Sequence, residues 1–191
     1  MHGADGDQQR GLIAEWKHNF GVFTTVCGFL SAPLSAIFAR AGTMGERFQG
    51  FPMLIGVLLQ FLVVVLVAGP TGGDQALYML GFMVIVLLSH RIHRARVKRE
   101  GFRCHSMYTG VPCIPGDELA VKGVVIPAIT LFAGLLVLGL AKGVGAWLIL
   151  ASIALAVTTS VYRQQLDAQT RAVNDARIEQ DIVRHHHQEQ S

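Results

Sequence analysis

Four stretches of this chain, residues 51–69, 75–90, 123–141 and 145–162, run for about 16 to 19 residues without an ionised side chain, close to the length a helix needs to cross hydrocarbon. Within them, Phe61–Val67 and Tyr78–Leu88 are apolar on every helical face, the pattern of a segment surrounded by lipid or by other helices rather than of a surface helix. The pattern predicts an all-α integral membrane protein with four transmembrane helices. Residues 69–74 (Gly-Pro-Thr-Gly-Gly-Asp) and 142–145 (Lys-Gly-Val-Gly) are short and rich in turn formers, so the four spans pair as two antiparallel hairpins.

Residues 20–39 read differently. Phe20, Phe23, Val26, Cys27, Phe29, Leu30, Leu34, Ile37 and Phe38 recur at helical spacing, whereas Thr24, Thr25, Gly28, Ser31, Ala32 and Ser35 fill the other face and Pro33 interrupts the middle. A two-faced segment is expected to lie in the interface as an amphipathic helix, with a fifth crossing as the alternative. Residues 1–19 are a polar N-terminal segment whose acidic Asp5, Asp7 and Glu15 do not resemble a secretory leader, so insertion falls to the first span.

Charge sets an expected orientation. The 91–122 connector carries Arg91, Arg94, Arg96, Lys98, Arg99, Arg103 and Lys122, while the two hairpin turns hold only Lys142; the positive-inside bias predicts that the connector and both termini face the cytoplasm, in an inner or plasma membrane. Arg91, Arg94, Arg96, Lys98 and Arg99 are expected to continue the second span into the headgroup region and to meet anionic lipid there. Overall, 51% of the 191 residues are apolar and 15% charged, well below the charge of an ordinary soluble domain. No nucleic-acid-binding pattern accompanies the basic cluster.

Within the connector, Thr109-Gly110 separates two short alternating runs and predicts a small β-hairpin, with Tyr108 opposite Val111 and Ser106 opposite Cys113. Cys104, Ser106, Tyr108, Val111 and Cys113 then share one face, which together with Gly110 is expected to dock on a neighbouring subunit or on the protein's own cytoplasmic face. Adjacent residues on a strand point apart, so His105 is not placed to activate Cys104, and the cysteine spacing lacks the paired ligands of a zinc motif. No cofactor or metal is expected.

Residues 163–191 form a polar, helix-favouring tail. Leu166, Val173, Ala176 and Val183 lie on one seam, interrupted by Gln169 and Gln180, and suggest a helix that packs against a partner. Inside the spans, Gln60 is the one strongly polar side chain near a midpoint and is expected to hydrogen-bond another helix. Gly134, Gly139, Gly143 and Gly145 permit close helix approach. Spans without ionisable groups, flanked by surfaces suited to binding, point to a non-catalytic structural or interaction subunit of a multi-subunit or homo-oligomeric membrane assembly. The competing readings are a small oligomeric channel or transporter, and a membrane enzyme or redox protein using Cys104 and Cys113.

Overall fold

A computed structural model describes residues 4–101 and 106–189, with side chains described for these residues apart from 4–17, Thr71 and 181–189. The described elements are helical: α1 (Ala4–Phe38), α2 (Phe51–Ala68), α3 (Gly72–Arg99), the single turn α4 (Glu118–Ala120), α5 (Ile126–Leu138) and α6 (Lys142–Glu189). Among the described residues, 5 helical segments are long and apolar enough to cross a membrane: His18–Phe38, Phe51–Ala68, Gly72–Arg99, Glu118–Leu138 and Lys142–Gln180. The expected count was four. The fifth is the segment expected to lie flat.

Local chemistry explains the boundaries. Pro52 opens α2, where its missing N–H costs nothing, and Gly69 closes it at φ +61°, donating its N–H to Val65 O. A 3-10 turn (Gly69–Thr71) leads directly into α3, and a Cβ on Gly72 would stand 2.8 Å from Val65 Cα, so the two helices approach too closely there for any side chain. Asp117 caps α4 by accepting a hydrogen bond from Ala120 N at 2.9 Å. Between α4 and α5 the helix widens into one π-helical turn, Val121–Val125, just ahead of Pro127. A proline ring clashes with the carbonyl four residues back in a regular helix, and the wider turn relieves that clash.

Small residues set the helix spacing. A Cβ on Gly134 would lie 3.1 Å from Gly145 O, and one on Gly143 2.5 Å from Val64 O, so α5, α6 and α2 meet nearly backbone to backbone; Gly139 takes no part in this contact. Ser152 on α6 donates to Pro127 O at 2.7 Å, a buried bond between α6 and α5. Around these contacts Leu34, Val64, Ala76, Ile126, Trp147, Ala151 and Leu155 form the main core. Ala32, Ala36, Met44, Phe48, Met53 and Met83 form a second at one end of the bundle.

The interfacial reading of residues 20–39 does not describe this helix. Ser31, Ala32, Pro33 and Leu34 are buried in succession, which no helix lying on a surface achieves, and Ala36 is buried as well. Pro33 leaves the carbonyl of Phe29 without its N–H donor one turn on, and Gly56 of α2 packs against that carbonyl, where a Cβ would come within 2.5 Å. Ser31 and Ala32 from the face read as polar and Cys27 and Leu34 from the apolar face are all buried, so this half of the helix packs on both sides. Ahead of Cys27 the helix changes character, with Phe20, Val22, Phe23 and Val26 exposed.

Candidate functional site

The turns 69–71 and 139–141 lie at one end of the bundle, and the connections 39–50 and 106–117 meet at the other. Here the expected β-hairpin is replaced by pairing between segments distant in sequence. Arg47 N donates to Ser106 O (2.9 Å), Gly45 N to Tyr108 O (2.8 Å), Arg40 N to Val111 O (2.7 Å) and Cys113 N to Phe38 O (2.8 Å), so the partners descend from Arg47 to Phe38 as the connector ascends. This is antiparallel order, yet it amounts to one isolated bridge, Ala39 with Pro112, and no strand forms among the described residues. The connector docks on the chain itself instead of folding back on itself. Gly110 does take the positive φ its place beside Thr109 suggested (+98°), but in the service of this docking: a Cβ would lie 2.7 Å from Ala39 Cβ and 3.0 Å from Met44 Cγ.

Three side chains hold this cap. His90, 2% exposed on α3, accepts a hydrogen bond at Nδ1 from Gly42 N (3.2 Å) and donates from Nε2 to Ala36 O (3.0 Å), which assigns the neutral Nε2–H tautomer. Thr43 Oγ1 donates to Arg40 O (2.7 Å) and accepts from Val111 N (3.0 Å). Lys122 Nζ donates to Thr109 Oγ1 (2.9 Å) and to Glu118 Oε1 (2.6 Å), and lies 4.7 Å from the centre of the Tyr108 ring. Sequence reasoning treated His90 as the end of a span and Lys122 as a topological charge. A signal for His90 was present: Ala76, Met83, His90 and Val97 recur every seven residues and are the buried line of α3.

The residues expected to bind partners divide into two groups. Ser106, Tyr108, Gly110 and Val111 are engaged with the chain's own cap, and Cys104 lies outside the described residues. On α6, Leu166 is half-buried while Val173 and Ala176 are exposed; the side chain of Val183 lies outside the described ones. Of the residues expected at lipid headgroups, Arg91, Arg96, Lys98 and Arg99 are exposed, with Arg96 paired to Glu100 at 3.4 Å. Arg94 is drawn in toward Glu46 at 3.3 Å. Gln60 departs from expectation: it is 2% exposed, yet neither Oε1 nor Nε2 has a hydrogen-bond partner on another helix.

Chemically, the cap is a lock. Its buried imidazole and hydroxyl and its half-buried ammonium all bind the chain's own backbone or side chains. The outward surfaces it leaves are the basic face of α3 and the projecting end of α6. Among the described residues, no group of three or more His, Cys, Asp or Glu side chains is arranged to hold a metal ion. Comparison of the chain with protein-family models, with curated proteins and with solved structures gave no match.

Proposed function

We propose that this protein is a non-catalytic subunit of a membrane assembly, anchored by its apolar helices and recruiting other subunits at its basic end. The observation that carries this reading is the course of α6. It runs unbroken for 48 residues, and from Tyr162 to Gln180 every described side chain is exposed except the half-buried Leu166. A polar helix of this kind gains little from isolation in water and is stabilised by packing against a partner.

The direction of its apolar seam favours a particular partner. Val173 follows Leu155 by five turns of an α-helix, about 18 residues, so it faces the same way as a residue buried in the bundle. The seam therefore looks back over the cap. A parallel second copy laid along it would have to run its own α6 through the bundle, so the occupant is a different segment approaching from the basic end. That argues against copies packed side by side along this seam and favours the multi-subunit form of the assembly.

The basic end is the cytoplasmic end in this proposal, since Arg40, Arg91, Arg96, Lys98, Arg99 and Arg163 gather there, and the exposed ones meet anionic lipid. If α1 is a crossing, residues before His18 lie on the opposite side from the α6 tail, which replaces the expectation of two cytoplasmic termini.

The test is particle size in mild detergent, measured on protein extracted from its own membrane. Truncation before Gln164 and the substitution Val173→Asp are each expected to shrink the native particle while the chain remains membrane-inserted with an unchanged melting temperature (Tm). A particle of single-chain mass before either change would overturn the reading.

A further inference from the structure

Gln60 stands halfway along α2, and its amide offers two N–H donors and a carbonyl acceptor in a setting where nothing apolar can satisfy them. No protein group reaches either end of the amide. Beside it lies a cavity of about 10 Å³ between α2 and α3, lined by Val57, Gln60, Phe61, Ala76, Met79 and Leu80. Apart from Gln60, these lining side chains are apolar. Ala76 is the small residue that leaves the space open.

We propose that this cavity is a binding site for a single internal water molecule held by the Gln60 amide. Size and chemistry both select the ligand. A volume of this order accommodates about one water, and an internal water is stable when two or more polar partners hold it. Gln60 supplies two, Nε2–H to the water oxygen and a water O–H to Oε1. A lipid chain would fill space without bonding the amide. An ion has no carboxylate or other charged group in the lining to compensate it, and a larger polar ligand does not fit. The site places a hydrated point at the middle of the α2–α3 hairpin, in a layer otherwise built from apolar contacts.

The proposal is tested with the full chain in lipid nanodiscs. A structure that shows ordered solvent is expected to contain one density peak within hydrogen-bonding distance of both Gln60 Nε2 and Oε1. Ala76→Val, which fills the cavity, is expected to lower the Tm when Gln60 is present, and to lower it far less in the Gln60→Leu background, where there is no amide to strand. Gln60→Leu alone is expected to leave the Tm unchanged or reduced, because an amide bonded through its oxygen and one N–H is exchanged for a side chain beside an unfilled space. A rise of roughly 3 °C or more on Gln60→Leu would mean that a dry, unsatisfied amide had been removed, and would overturn the proposal. So would solvent density everywhere but at this amide, or equal effects of Ala76→Val in the two backgrounds.

Discussion

His90 concentrates the cap into one ring. Removing it strands a buried N–H at Gly42 and loosens Ala36 O, and an unsatisfied buried group costs about 1–3 kcal/mol. His90→Ala is therefore expected to lower the Tm by roughly 3 °C or more, while His93→Ala, at an exposed neighbour, should stay within about 1 °C; thermal unfolding in detergent measures both. At this scale the sequence was partly legible. Gly110 next to Thr109 signalled a backbone position needing positive φ, and that is where one occurs. What it turns against, Ala39 and Met44 some seventy residues earlier, carries no local signature, because a docking contact between loops is fixed by tertiary geometry and not by alternation along either segment. His90 was hidden for a related reason: standing between an apolar run and Arg91, it looked like no more than the boundary of a span.

Among the elements, α1 shows how a two-faced pattern can mislead. Burial follows position along this helix more than face: from Cys27 onward the bundle encloses it, and small Ser and Ala residues there allow close helix approach. Phe20 and Phe23, ahead of that point, are exposed, while Ser31, Ala32, Leu34 and Ala36 are buried. Gly56→Val drives a side chain into Phe29 O and Pro33, and should destabilise the protein by about 1–3 kcal/mol and open residues 27–38 to protease or hydrogen exchange. Native exchange rates across α1 in that variant would show this contact to be dispensable. The other spans were easier to read, since an all-apolar run of sufficient length has few alternatives. The Ser152 bond to Pro127 O depends on a neighbouring helix and left no mark in the local pattern, whereas the π-helical turn has its cause in Pro127 itself.

For the whole molecule, the question is which end faces which compartment. A cysteine at Gly73, exposed and with nothing near its Cβ position, is expected to react with a membrane-impermeant reagent from outside, whereas Cys113 should react only after permeabilisation. An epitope ahead of Ala4 should be accessible from the same side as the Gly73→Cys position if α1 crosses; accessibility together with Cys113 would return α1 to a non-spanning role. Loop charge made the end-to-end asymmetry visible from the start, but not the number of crossings, because the 20–39 region satisfies the length rule and the two-face rule at once. Finally, α6 joins the two regions without a hinge. A helix of 48 residues is about 72 Å long, and the part beyond Tyr162 makes up more than half of it. It is a lever whose short arm is gripped among the spans: each degree of tilt in the bundle sweeps the far end by about 0.7 Å, so a shift too small to repack Trp147 or Ala151 would still be felt by whatever holds the other end.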